Sequence, residues 1–339
     1  MMHQPHARSA LPERLEAPLL TVRGLSVEFV TRRGRARALD RVSFDMAPGE
    51  ILGLVGESGA GKSLSGNAII GLIDPPGQVV EGEITFDGKR IDALPANQMR
   101  KLRGRTIAAI FQDPLTSLDP LMRIGDQLTE TILTHLPMSR AAARARALDL
   151  LKAVGIPAPD VRIDHYPHQF SGGMRQRVVI ALALCADPKL IIADEPTTAL
   201  DVSIQAQITA LLKKMCREHG TAILLVTHDM GVIADTADRV AVMYAGRLVE
   251  IGPIQDVLGS PRHVYTAGLI GSIPSLNRRR ERLVQIDGSM PRPGAVPSGC
   301  AFAPRCPKRI AKCDERPELR SFGESQVACW RAEESHSYA

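Results

Sequence analysis

Short, unbroken apolar runs recur along the chain. Ile51-Leu52-Gly53-Leu54-Val55, Leu190-Ile191-Ile192-Ala193 and Ala222 to Val226 show no polar alternation. Runs of that length without a solvent face predict strands buried on both sides, as in a parallel sheet. Thr106 to Phe111 reads the same way and ends at Gln112. Leu19 to Phe29 alternates apolar and polar positions, which predicts a strand. Val42 to Met46 and Gly82 to Phe86 read as two more, the latter closed by an Asp87-Gly88 turn. Val240 to Tyr244 and Arg247 to Ile251 read as a hairpin turning at Ala245-Gly246. Helical spacing fills the gaps: Ser63 to Leu72, Val178 to Ala186, and Gln205 to His219 with Gly220 as its stop. Residues 120–185 are mostly helical in pattern. Their clearest helix is capped by Ser139, runs through Leu148, Leu151 and Val154, and stops at Gly155. Strands alternating with helices predict an α/β sheet covered on both faces, with a helical block inserted.

The length of 339 residues allows one large domain and a smaller one. Residues 1–17 read as a flexible tail, 18–260 as the α/β domain, and 261–339 as a small extension with many prolines and four of the six cysteines. An aromatic content of 4% argues against a nucleic-acid stacking surface. The net charge of +5 permits an anionic partner and specifies none. Arg32-Arg33-Gly34-Arg35-Ala36-Arg37 reads as a solvated hairpin loop, with a nucleic-acid patch as the alternative. No apolar run approaches the roughly 18 residues of a membrane span. The polar start of the chain lacks the apolar core of a signal peptide. A cytosolic protein with reduced cysteines is expected.

The candidate chemistry sits where the predicted strands end. Gly56-Glu57-Ser58-Gly59-Ala60-Gly61-Lys62-Ser63 lies between a strand and a helix and fits G-x-x-x-x-G-K-S/T. Glycines let successive backbone N–H groups of Ser58, Gly59, Ala60 and Gly61 turn inward, and the helix start adds a positive dipole end. Lys62 would reach the β- and γ-phosphates of a nucleotide, and the Ser63 hydroxyl would ligate Mg²⁺. Asp194 and Glu195 close the Leu190 strand: Asp194 suits the Mg²⁺ shell and Glu195 a general base. An acid pair capping the next helix is the alternative. Gln112 could touch Mg²⁺ or the attacking water, and His228 could bond the γ-phosphate. Ser171-Gly172-Gly173, ahead of an apolar helix, forms a second anion-binding end. One nucleotide does not obviously need two such ends.

Together these stretches resemble the ATP-binding subunits of ABC transporters. Gly56 to Ser63 is similar to Walker A, Gln112 to the Q-loop, and Ser171 to Gln176 to the signature. Leu190 to Glu195 is similar to Walker B with its catalytic glutamate, Ala199-Leu200-Asp201 to the D-loop, and His228 to the switch histidine. The resemblance implies a P-loop ATPase with a RecA-like core, an antiparallel β subdomain and a helical signature subdomain over residues 18–260. It implies ATP and Mg²⁺ as cofactors. It also explains the second anion end: two subunits dimerise head to tail, each signature completing the partner's site, and ATP-driven closure moves a permease. The signature has Phe170 where Leu is usual and Met174 where Gln is usual. Phe29 is the best candidate for stacking the adenine. Phe111 to Pro120, Tyr166-Pro167-His168-Gln169 and Pro261 to Thr266 resemble the dipeptide, oligopeptide and nickel importer branch, with Val264 where Pro is usual there. The resemblance is nearest to the dipeptide importers. It implies a homologous second ATP-binding subunit, two transmembrane permease subunits, a substrate-binding protein, a place on the cytoplasmic face of the membrane, and no nucleic acid. Nickel, glutathione or oligopeptide import are alternatives within the branch. A soluble ABC ATPase acting on nucleic acid or ribosomes is the alternative outside it, disfavoured by the single ATPase domain.

Cys300, Cys306, Cys313 and Cys329 are spaced C-x5-C-x6-C-x15-C. Four thiols in a short cytosolic segment invite a metal. Zinc (Zn²⁺) usually takes closer C-x2-C pairs, whereas a 4Fe–4S cluster accepts wider and varied loops. The resemblance also points to the cluster; zinc and free or oxidised thiols stay open. Either metal would act mainly as a staple for an extension with little apolar sequence. Cys185 and Cys216 read as inert thiols.

Overall fold

The computed structural model describes residues 17–31, 34–197, 201–272 and 285–334. Its strands are β1 (Leu20–Thr31), β2 (Gly34–Met46), β3 (Ile51–Val55), β4 (Gly77–Phe86), β5 (Lys89–Arg90), β6 (Ile107–Ile110), β7 (Leu190–Asp194), β8 (Ala222–Val226), β9 (Arg239–Tyr244), β10 (Arg247–Pro253), β11 (Arg320–Phe322) and β12 (Ser325–Val327). Its helices are α1 (Lys62–Ile69), α2 (Ala96–Leu102), α3 (Ile124–His135), α4 (Arg140–Ala153), α5 (Pro159–Arg162), α6 (Gly172–Leu184), α7 (Val202–His219), α8 (Met230–Thr236), α9 (Ile254–Gly259) and α10 (Val264–Gly271). Among the described residues the strands form a 4-stranded antiparallel sheet, β2-β1-β4-β5, and an 8-stranded sheet, β11-β12-β10-β9-β3-β8-β7-β6.

The central strands β9, β3, β8, β7 and β6 are parallel. Their unbroken apolar runs follow from having two faces to bury. Ile51, Val55, Ile223, Leu225, Val240 and Val242 face the layer of α6, α7 and α8. The intervening Leu52, Leu54, Leu224, Val226, Ala241 and Met243 face α1 and the antiparallel sheet, meeting Leu20, Val22, Leu39 and Ile69. Side chains that alternate across a strand thus feed two different cores.

The helical block is real. Leu128, Ile132, Ala143, Ala147, Leu151 and Ile180 are fully buried together. Ser139 caps α4 by accepting from the Ala142 N–H at 3.2 Å, and Gly155 follows it with φ +75°. No helix of the described residues is long and apolar enough to cross a membrane.

Two expectations change. Arg35 and Arg37 lie in β2, not in a loop. Cross-strand carboxylates hold them there: Arg37 pairs with Glu28 at 2.9 Å and Glu81 at 3.2 Å, and Arg35 with Glu28 at 3.8 Å. Arg32 and Arg33 lie outside the described residues, as do residues 1–16 and the basic stretch Arg278 to Arg282. The residues after 260 also do more than trail the domain. β12 pairs with β10 at Glu250↔Val327 and Ile251↔Gln326, so the C-terminal hairpin prolongs the main sheet. Those strands are too short to stand out in a proline-rich sequence.

Candidate active site

The Gly56–Gly61 loop joins β3 to α1. Gly56 has φ +152°, and a side chain there would collide with the Met243 carbonyl of β9. Gly61 has φ +105°, and an added Cβ would lie 2.6 Å from Leu39 of β2. Glycine is therefore required at both ends of the loop by shape. Ser58 and Gly59 are exposed and Ala60 is buried, its N–H donating to the Glu57 carbonyl at 3.1 Å. The Lys62 ammonium is buried and donates to the carbonyls of Gly56 at 2.9 Å and Glu57 at 3.0 Å. Burial lowers its pKa, against the opposing pull of Glu195, Asp194 and Glu57.

Across the loop, Ser63 Oγ donates to Asp194 Oδ1 at 2.9 Å. Burial first, and then the charge of Glu195, raise the Asp194 pKa, while Ser63 and Lys62 lower it. A half-buried carboxylate beside a hydroxyl is a pair suited to a hard cation. Glu195 follows β7 with φ +45°, and its N–H donates to the Val226 carbonyl at 2.8 Å. That left-handed turn is uncommon for a non-glycine residue and costs about 1–3 kcal/mol. Its carboxylate then bridges two neighbours. Oε2 accepts from Gln112 Nε2 at 3.1 Å, and Oε1 lies 3.1 Å from His228 Nδ1. Gln112, Glu195 and His228 stand just past the C-terminal ends of the adjacent parallel strands β6, β7 and β8, where α/β sheets bind ligands. The structure thus brings Lys62, Ser63, Gln112, Asp194, Glu195 and His228 into one group.

Other expected residues stand apart. Ser171 caps α6, its Oγ accepting from the Met174 N–H at 3.4 Å, and its carbonyl accepts from Arg175. Ser171 and Gly172 are exposed. Gly173 packs on α7: an added Cβ would lie 2.7 Å from Ile204. Phe29 is half-buried on β1 with its ring over Gly77, whose Cβ would lie 2.7 Å from it. Asp201 precedes α7, while Ala199 and Leu200 lie outside the described residues.

All six cysteines are free thiols. Burial pushes Cys185 to about 12 and Cys216 to about 11, consistent with inert groups. Burial pushes Cys300 to about 11, and nearby Cys313, Cys329 and Cys306 push it further in the same direction. Cys306 and Cys329 are raised by burial too, and each also feels Cys313. The Cys300 N–H donates to the Cys313 carbonyl at 2.9 Å. Among the described residues, however, no three His, Cys, Asp or Glu side chains are gathered as ligands of a single metal ion.

Sequence reasoning missed the reach of the C-terminal segment to the phosphate loop. The Glu57 N–H donates to the Tyr265 hydroxyl at 2.9 Å, and Arg305 pairs with the Glu57 carboxylate at 3.0 Å. These partners are 208 and 248 residues from Glu57, so no local signal could have joined them.

An ABC transporter family pattern matches residues 39–198, and a pattern described as the oligopeptide/dipeptide transporter C-terminal region matches residues 249–313. The chain is 48% identical to the dipeptide transport ATP-binding protein DppD of Bacillus subtilis over 95% of its own length and 97% of that protein's. It is 51% identical to the oligopeptide transport ATP-binding protein OppD of the same organism, over 85% of this chain and 81% of that one. Among solved structures it is similar to the dimeric, post-hydrolysis ATP-binding cassette MJ0796 bound to ADP and Pi. The TM-score is 0.63 and the identity 30%, covering 69% of this chain and 98% of that one. With a phosphate loop, a metal-suited Ser63–Asp194 pair and a strained glutamate aligned on one sheet edge, the chain belongs to the ABC transporter ATP-binding proteins of the dipeptide and oligopeptide transport family.

Proposed function

We propose that this ATPase energises import of dipeptides and short peptides from the cytoplasmic face of the cell membrane. The observation that carries the reading is Glu195, held between Gln112 and His228 beside the Ser63–Asp194 pair. In this reading the N–H groups of Ser58, Gly59, Ala60 and Gly61 cradle the ATP phosphates with Lys62. Lys62 leaves its carbonyl partners for the β- and γ-phosphates. Ser63, Asp194 and Gln112 would hold Mg²⁺, which would neutralise charge on the phosphates. Glu195 takes the proton of the attacking water, His228 bonds the γ-phosphate, and Phe29 stacks the adenine. Ser171, Gly172 and Gly173 present their helix end to the ATP of a homologous second subunit. Residues 18–260 form the nucleotide-binding domain and 261–339 the extension. Closure and opening of the pair drives two transmembrane permease subunits served by a substrate-binding protein. Similarity along nearly the whole length of a dipeptide transport subunit supports the peptide substrate.

Purifying the tagged chain from native membranes tests this. Two permeases and a second ATPase are expected to co-purify, with ATP hydrolysis stimulated by peptide-loaded binding protein. Recovery of ribosomes or nucleic acid in their place overturns the transport reading.

We further infer that Cys300, Cys306, Cys313 and Cys329 hold a 4Fe–4S cluster. The support for this reading is the C-x5-C-x6-C-x15-C spacing of four thiols, whose wide loops suit a cluster better than zinc; among the described residues no group of three ligands is gathered as a metal site. The cluster would supply crosslinking to a segment poor in apolar residues. Anaerobic preparations are expected to contain iron and a broad visible absorbance, both lost in Cys306→Ala. Zinc without iron overturns the assignment.

A further inference from the structure

The C-terminal segment crosses the phosphate loop and grips it at two points. Met290 lies 3.4 Å from where a Cβ on Gly59 would be, and its sulfur accepts from the Ala245 N–H at 3.4 Å. Arg305 makes the second grip. Its side chain is 7% exposed and saturated with acceptors. Nε donates to the Asp287 carbonyl at 2.8 Å, and Nη2 to the carbonyls of Ile286 and Gly288 at 3.2 Å each. Nη1 donates to both Glu57 oxygens at 3.0 Å and to the Tyr244 hydroxyl at 3.3 Å. Below it, Tyr244 packs edge-on against Tyr265 and Phe302, which are tilted against each other, with centroids 4.7–5.4 Å apart. Tyr265 in turn holds the Glu57 N–H.

Three facts make this more than a domain staple. Glu57 is inside the phosphate loop, and its carbonyl is one of the two partners of Lys62. Its carboxylate puts a negative charge on a loop that must receive the negative charges of a nucleotide. A charge as buried as Arg305 stays paired, because an unpaired one is costly. We propose that Arg305 is a positioning residue for nucleotide binding: it fixes the Glu57 peptide and cancels the Glu57 charge beside the phosphates. This rests on the nucleotide site proposed above. Arg305 directly precedes Cys306, so the four-cysteine segment and the phosphate loop share one anchor.

The test is equilibrium binding of MgATP to the full-length chain, with KM and kcat measured in the assembled transporter. Arg305→Ala is expected to weaken MgATP binding and raise KM about tenfold, with kcat little changed, because Glu57 is left as an unpaired anion. Adding Glu57→Gln to that variant is expected to restore affinity to within about twofold. Glu57→Gln alone is expected to tighten MgATP binding about threefold, because the loop loses its negative charge while the amide oxygen still accepts from Arg305. That single variant decides the matter even where Arg305→Ala fails to fold: weaker or unchanged binding overturns the proposal. Equal loss in Arg305→Ala and the double variant assigns Arg305 to folding alone and also overturns it. A wild-type chain that binds no MgATP overturns the nucleotide reading itself.

Discussion

Glu195→Gln is expected to lower ATP turnover by about 10²–10⁴-fold while MgATP still binds, because the general base is removed and the phosphate loop is untouched. The substitution keeps size and shape. A glutamine oxygen can still accept from Gln112 Nε2, and its amide can donate to His228 Nδ1, so both 3.1 Å contacts have partners after the change. What disappears is the proton acceptor. One negative charge also leaves the neighbourhood of Asp194, removing one of the influences that raise its pKa. Single-turnover hydrolysis in the assembled transporter measures the loss. Hydrolysis at the wild-type rate would remove Glu195 as the base.

The parts of this site that were legible in the sequence share a physical property: each is declared by its own segment. β3, β7 and β8 are short runs buried on both faces, so their ends could be located to within a residue. Gln112, Glu195 and His228 then fall on one sheet edge because parallel strands put all their C-terminal ends on the same side. The phosphate loop was legible because its glycines are forced by contacts with Met243 and Leu39. Other features depend on pairings between distant segments. Arg35 and Arg37 looked like a loop because their carboxylate partners, Glu28 and Glu81, lie on other strands. β12 is a three-residue strand that only its pairing with β10 defines. Arg305 looked like one basic residue among many until its partner on the phosphate loop was placed beside it.

The same limit applies to the proposed second half of the catalytic site, which would come from a partner subunit. Ser171→Arg is expected to lower ATP turnover at the partner's phosphate loop by at least about a hundredfold, a loss of the size seen when one transition-state donor is removed. MgATP binding to the altered chain should stay near wild type. Ser171 and Gly172 are exposed, and the Ser171 oxygens accept from the Met174 and Arg175 N–H groups of its own helix. Lys62, Ser63 and Asp194 lie in a different group, so the chain's own phosphate loop is unaffected by the substitution. An arginine at Ser171 removes the cap and fills the space over the α6 N-terminus, so a partner's γ-phosphate can no longer seat there. The decisive comparison uses assemblies in which only this subunit carries Ser171→Arg. If the exposed helix end completes the partner's site, turnover at the partner's phosphate loop is lost while this chain's Lys62 still binds nucleotide. If both sites turn over normally, Ser171 serves only to cap α6, and the Gly56 to Ser63 loop is a complete site on its own.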